Sequence, residues 1–123
     1  MIPTYEQMGD WLEEIVGEFP DAFFEELDGG IQLEEAALPG PDFPPGEMYI
    51  MGEYCNDQMG RYINLYYGSF AVLAEEEDWT RRNWEEELYE TLAHEFTHHI
   101  EGLAGERGLE VKDEAFLDRY RDQ

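Results

Sequence analysis

Basic side chains are scarce in this sequence, which has 7 Lys and Arg residues against 31 Asp and Glu residues and a formal net charge of −24. Lys112 is the only lysine. A field of this sign repels phosphate backbones and anionic headgroups, so binding to nucleic acid or to a membrane surface is disfavoured. The hydrophobic fraction of 42% is ordinary for a folded protein and argues against disorder.

Cysteine is almost absent as well. Cys55 is the only one, which excludes an intramolecular disulfide, and its neighbours include no cation or histidine that would activate the thiol. No apolar run reaches the length that crosses a bilayer, and the first residues lack the basic and apolar regions of a signal peptide. We therefore expect one domain over residues 1–123 in a cytoplasmic protein without nucleic-acid or membrane partners.

Histidine is the third scarce residue, and all three copies fall in the stretch His94-Glu-Phe-Thr-His-His99. Its first five residues read His-Glu-x-x-His. On a helix, residues four apart project from the same side, so His94 and His98 can present two imidazoles to one metal ion. Glu95 lies beside them and can hold a water at the open position of the ion. This is the arrangement that a hydrolytic zinc site needs.

The apolar residues around the motif separate this interpretation from its alternative, two surface histidines on an amphipathic helix. They form a stripe at near-helical spacing: Trp84, Leu88, Leu92, Phe96, Ile100 and Leu103. His94 and His98 lie off this stripe, whereas histidines that only fill the core should lie within it, and the metal site is therefore favoured. His99 lies nearer the apolar arc, which favours a supporting hydrogen bond or core packing over ligation.

The remaining patterns predict an α+β domain. Thr4 and Gln7 form a capping box before a first helix that runs to about Phe19. Asn83 and Glu86 form a second box before the histidine helix, which should end near the glycines at 102 and 105. The other predicted elements are a short helix at 21–27, a strand at 31–34, an irregular loop at 38–46, a hairpin of strands at 48–51 and 61–70 with a turn segment at 55–60, an acidic connector at 75–78 and a last helix at 113–120.

A helix, a few strands and a long helix bearing His-Glu-x-x-His resemble a zincin, and more closely the small bacterial zincin-like metallopeptidase family. The resemblance is strongest at Gly52-Glu-Tyr, Gly60-Arg-Tyr-Ile, Tyr66-Tyr-Gly-Ser-Phe and from His94 to Glu106. It implies a minimal zincin-like domain with an N-terminal helix, a small twisted sheet of about three strands, a long metal-site helix and a short C-terminal helix.

The resemblance also implies an activity. It identifies a zinc metallopeptidase that hydrolyses a peptide or an unfolded protein segment through a metal-activated water, with His94 and His98 as zinc ligands and Glu95 as general base. The alternative is a metal-binding interaction module of the same fold that has no turnover. Glu95 is needed as a base only by the enzyme.

The third metal ligand is an open question among four acids, namely Glu101, Glu106, Glu110 and Asp113. Glu101 shares the histidine side but lies about 10 Å along a regular helix from His94. The glycines at 102, 105 and 108 allow the chain to turn and return a later ligand, and the resemblance implies an Asp at the position of Asp113. We expect Asp113 first, Glu110 second and Glu101 third; helix capping is the alternative role of Asp113.

An oxyanion-stabilising phenol is also an open question. Tyr54, Tyr62 and Tyr120 are the candidates, and the sequence does not distinguish among them.

Overall fold

The computed structural model describes residues 1–40 and 48–106. In chain order its elements are α1 (Tyr5–Val16), a 3-10 helix (Asp21–Phe24), β1 (Gly30–Glu34), β2 (Leu38–Pro39), β3 (Tyr49–Ile50), β4 (Gly52–Asp57), β5 (Gly60–Tyr66), α2 (Tyr67–Glu77) and α3 (Arg81–Glu106). The predicted α+β class is confirmed. The helix predicted at 113–120 lies outside the described residues.

The main sheet has three strands in the order β1-β5-β4. The central strand β5 pairs in parallel with β1 and antiparallel with β4, so Leu65 faces Leu33 on one side and Gly52 on the other. Strands β2 and β3 form a separate two-stranded antiparallel ladder. Along β5, Ile63 and Leu65 are fully buried, while the alternating residues Tyr62, Asn64 and Tyr66 are half-buried. One face of the sheet is therefore the core face.

Helix α3 lies against that face and carries the apolar stripe into the core. Trp84, Leu88, Leu92 and Phe96 are all fully buried. The Phe96 ring lies with its centroid 5.0 Å from that of Phe19, and it also contacts Phe23 and Phe24. This packing sets the rotation of α3 about its own axis, and the side opposite the stripe turns outward.

Of the two predicted capping boxes, only the one at the start of α1 is present. The capping box of α1 is confirmed, since Gln7 N donates to Thr4 Oγ1 at 3.1 Å and Thr4 N donates to Gln7 Oε1 at 2.9 Å. The prediction of a second capping box at Asn83 and Glu86 is wrong. The cap of α3 is Thr80, whose Oγ1 accepts from Asn83 N at 3.2 Å while Asn83 Oδ1 accepts from Thr80 N at 3.0 Å. Asn83 is thus the third helical residue rather than the cap.

Several boundaries also differ from the prediction. The strand expected to reach residue 70 ends at Tyr66, and α2 occupies most of the expected acidic connector, because the segment 71–77 consists mainly of good helix formers. The partner of β5 in the hairpin is β4, not the predicted strand at 48–51, and the turn between them is only 58–59. Leu38–Pro39 is a short strand, although a loop was predicted there. Helix α1 ends at Val16, and Gly17 is its C-cap. The helix predicted at 21–27 is a 3-10 helix that ends at Phe24. Helix α3 continues through Gly102 and Gly105 to Glu106.

Gly68 marks a close approach between α2 and the chain after β1. A Cβ atom at this position would overlap the backbone nitrogen of Ala37 and lie 2.8 Å from the carbonyl carbon of Ala36. Because backbone atoms cannot move aside cheaply, Gly68→Ala should lower the free energy of unfolding by about 1–3 kcal/mol, measured by urea denaturation. Gly9→Ala is the control, because nothing lies within 4 Å of its Cβ position in α1. It should raise the free energy of unfolding by about 0.5–1 kcal/mol. Equal effects of the two substitutions would contradict the close approach.

The helices of the described ranges include no membrane span. Within 1–40 and 48–106, none is both long and apolar enough to cross a membrane.

Candidate metal centre

Helix α3 presents its histidine pair on the outward side. The Nε2 atoms of His94 and His98 lie 3.1 Å apart, and the two rings are nearly perpendicular, with their centroids 4.6 Å apart. Both side chains are exposed. The predicted separation of the pair from the apolar stripe is confirmed, because Leu92 and Phe96 on the same two turns are fully buried.

Glu95 is the buried member of the group. Its side chain is only 6% exposed, and one carboxylate oxygen, together with one nitrogen from each of His94 and His98, forms a set of atoms within 4.8 Å of one another. No hydrogen bond to this carboxylate is made by any residue in the described part of the chain. Burial raises the pKa of Glu95, the neighbouring His94 and His98 act in the opposite direction, and the carboxylate of Glu53 adds to the increase. A buried carboxylate with a raised pKa is suited to accepting and releasing a proton.

The group opens into a cleft of about 370 Å³ between α3 and the segment that enters β4. Its lining residues are Ile50, Met51, Gly52, Glu87, Glu90, Thr91, His94 and Glu95. Gly52 makes the close approach possible, since a Cβ atom there would lie 3.0 Å from Thr91 Cγ2 and 2.8 Å from Leu65 Cδ2. One wall of the cleft is therefore mostly apolar, and the other is the outward side of α3.

His99 is fully buried and hydrogen-bonded at both ring nitrogens. Its Nε2 lies 2.7 Å from the carbonyl oxygen of Glu25, which can only accept, so Nε2–H is the donor. In the neutral imidazole Nδ1 must then accept, and the Tyr54 hydroxyl at 3.0 Å is its donor. The ring ties α3 to the turn after the 3-10 helix and to β4. This agrees with the expected supporting role.

The two tyrosine candidates within the described residues do not line the cleft. Tyr54 is bonded to His99, and Tyr62 lies on the opposite face of the sheet, where its hydroxyl donates to Asp57 Oδ2 at 2.7 Å. Tyr120 is outside the described residues. Cys55 shares the face of Tyr62, and burial together with the Glu53 carboxylate raises the pKa of its thiol, which agrees with the expected lack of an activating neighbour.

The four candidates for the third ligand have different positions. Glu101 is exposed on α3 one turn beyond His98 and is not part of the converging group. Glu106 is the last described residue of the helix. Glu110 and Asp113 lie outside the described residues.

Two acidic residues of the cleft, Glu87 and Glu90, were missed from the sequence. The signal was present, because Glu87, Thr91 and His94 follow the i, i+4, i+7 spacing of one helix side. Burial raises the pKa of Glu87, and the carboxylates of Glu90, Glu77 and Glu86 add to the increase. The cleft therefore extends from the histidine pair into a region of unbalanced negative charge.

This charge has a measurable cost. Glu87→Gln should raise the free energy of unfolding at pH 7 by about 0.2–0.5 kcal/mol, the usual size of one like-charge pair on a helix. The gain should shrink as pH falls, because a raised folded-state pKa means that the wild-type carboxyl takes up its proton more readily in the folded protein. Urea denaturation at pH 7 and pH 5 measures both effects. Glu85→Gln, which breaks the 3.0 Å pair with Arg81, should give no such gain.

Comparison with known proteins gives one informative relationship. No family model matches the chain, and no curated protein does so either. Among solved structures, it is similar to a conserved hypothetical protein from Thermus thermophilus, with a TM-score of 0.72 and 34% sequence identity over 84% of this chain and 99% of that chain. Identity and coverage of this size go beyond a shared fold. The chain therefore belongs to the same family as this conserved hypothetical protein.

Proposed function

We propose that the protein is a zinc-dependent metallopeptidase in which His94 and His98 are zinc ligands and Glu95 is the general base. The separation of 3.1 Å between the two Nε2 atoms carries the proposal. Zinc–nitrogen bonds of about 2.0–2.1 Å at tetrahedral angles place two ligand nitrogens about 3.3 Å apart, so the pair fits one ion with little rearrangement.

The donor set of the chain supports a hydrolytic site over a structural one. Structural zinc sites close all four positions, usually with cysteine and histidine. The chain has one cysteine and three histidines in total. Cys55 lies on the far face of the sheet, and both ring nitrogens of His99 are already hydrogen-bonded. A site built on His94 and His98 must therefore use oxygen donors, and it can keep a position for water.

The chemistry follows from the burial of Glu95 beside the two nitrogens. When bound, zinc supplies a Lewis acid that lowers the pKa of a water molecule toward about 7. Glu95 then accepts the proton of the attacking water and returns it to the leaving amine of the substrate. Its low exposure favours the first of these steps, uptake of the proton, because a neutral carboxylic acid is more stable than a carboxylate in a buried position.

A substrate assay with a metal control tests the proposal. Protein loaded with zinc should cleave a reduced and alkylated protein substrate, a strong chelator should stop cleavage, and added zinc should restore it. Stoichiometric zinc binding without cleavage of any unfolded protein or peptide library would overturn the proposal of peptidase activity. It would favour the non-catalytic interaction module. Absence of zinc binding would overturn both.

The third ligand has its own prediction. The order expected from the sequence is Asp113, then Glu110, then Glu101, and zinc affinity measured for the three single Ala variants distinguishes them. Asp113→Ala should lose more than the roughly 10- to 100-fold that is typical of a supporting residue around a zinc site. The exposed position of Glu101, outside the converging group, agrees with its place at the end of the order. An unchanged affinity in Asp113→Ala would show that the order is wrong.

A further inference from the structure

We infer that the cleft beside the histidine pair selects peptides that carry Lys or Arg about three residues from the scissile bond, with Glu87 and Glu90 binding the basic side chain. The inference rests on the proposed function, because it assigns a substrate class to the same cleft.

The spacing along α3 sets the distance. Glu87 and His94 both line the cleft, and seven residues of helix separate them by about 10 Å along the axis. An extended peptide advances about 3.3 Å per residue, so its third residue from the reacting carbonyl comes level with Glu87. Glu90 lies between Glu87 and His94 along the helix, so it can also contact a long basic side chain that extends towards Glu87.

Within residues 1–40 and 48–106, no cation is paired with the carboxylates of Glu87 and Glu90. Neither Glu87 nor Glu90 forms an ion pair or hydrogen bond in the described part of the chain. Both arginines of this end of α3 are engaged elsewhere, Arg81 with Glu85 and Arg82 with Glu86, each at 3.0 Å. Since Glu87 is half-buried, its charge is held at a cost that a ligand ammonium or guanidinium would offset.

Glu95 gives an independent indication that the cleft holds a ligand. It is 6% exposed, it lines the same cleft, and its carboxylate accepts no hydrogen bond from the described residues. This carboxylate therefore has room for a hydrogen-bond partner that enters through the cleft. The opposite wall, formed by Ile50, Met51 and Gly52, suits the aliphatic part of a Lys or Arg side chain.

Peptide binding tests the inference without depending on turnover. The probes are two acetylated and amidated Ala-Gly nonapeptides that differ only in one central Lys or Gln. Binding is measured by calorimetry to the full chain carrying Glu95→Gln, in buffer containing zinc. The Lys peptide should bind at least about tenfold more tightly, as expected for a charge-assisted hydrogen bond.

A charge-matched control separates the cleft from the overall acidity of the protein. Adding Glu87→Gln and Glu90→Gln should reduce the preference for Lys to less than about twofold, whereas Glu13→Gln with Glu75→Gln, which removes the same charge from exposed sites on α1 and α2, should leave it unchanged. No preference in the parent protein, or equal loss in both double variants, would overturn the inference.

Mapping of cleavage sites then distinguishes the two failures. Wild-type protein acting on an unfolded substrate should cut where Lys or Arg lies within about three residues, and Glu87→Gln with Glu90→Gln should remove that enrichment. Cleavage without any basic preference would leave the peptidase standing and overturn the selectivity. Binding of the Lys peptide through Glu87 and Glu90 without cleavage would support the selectivity of the cleft and overturn the peptidase proposal.

Discussion

Glu95→Gln is expected to lower peptide hydrolysis by at least about a hundredfold while leaving the fold and the bound zinc intact. Glutamine has the shape of glutamate but cannot accept a proton from water at neutral pH. The variant should fold normally, because no hydrogen bond from a described residue is lost and a buried charge is removed. Initial rates, zinc content by mass spectrometry and circular dichroism measure the three properties together.

The control for this variant is Glu75→Gln, which changes an exposed carboxylate on α2 and should keep the wild-type rate. A Glu95→Gln protein that retained more than about a tenth of the rate would show that another group is the base.

Stability of the same variant gives a second measurement that needs no substrate. Burial raises the folded-state pKa of Glu95, so its charged form destabilises the metal-free protein above that pKa. Metal-free Glu95→Gln should therefore be more stable than wild type at neutral pH. The difference should begin to shrink as pH falls through the folded pKa of Glu95 and should vanish below the unfolded pKa. A variant less stable than wild type at pH 7 would contradict the sign of the shift.

His98→Ala is the second large effect, with loss of stoichiometric zinc as the expected result. The substitution removes one of the two nitrogens that lie 3.1 Å apart. Neither remaining candidate can replace it, because His99 is hydrogen-bonded at both ring nitrogens and Cys55 lies on the far face of the sheet. Because His98 is exposed, the metal-free variant should unfold at nearly the same denaturant concentration as the wild type. His94→Ala should behave in the same way.

His99→Ala is the matched histidine control, with the opposite pattern. Its fully buried ring is hydrogen-bonded to Glu25 and Tyr54, so the variant should lose about 2–4 kcal/mol of unfolding free energy yet still bind one zinc ion. Full zinc content in His98→Ala, or loss of zinc in His99→Ala with retained stability, would mean that the metal centre is elsewhere.

The parts of the fold that were predictable from sequence are those whose interactions are local. The capping box of α1 needs only Thr4 and Gln7, and the stripe of α3 needs only its own period. The start of α2 has no such signal. Tyr67 continues the alternation of Ile63 and Leu65, and no side chain caps the helix at Tyr66, so the pattern alone extends the strand.

In the candidate site, too, the local features were predictable and the long-range ones were not. The shared side of His94 and His98 and the neighbouring Glu95 follow from helical geometry, which is why the motif predicts them. The apolar wall of the cleft depends on how the sheet is assembled, and its central strand pairs in parallel with a segment about thirty residues earlier. A pairing of that range leaves no mark on the local period, so the width of the cleft was not predictable, although the helix side that Glu87 shares with His94 was.

The alternation of buried and site residues on α3 has a consequence for the lifetime of the site. Leu92 and Phe96 are fully buried on the same two turns that carry His94 and His98, so these turns cannot fray without opening the core. We therefore expect the backbone amides of these turns to exchange with solvent only when the core opens, in contrast to those of a site on a surface loop. The helix backbone that carries the two imidazoles should therefore keep its geometry for as long as the fold persists.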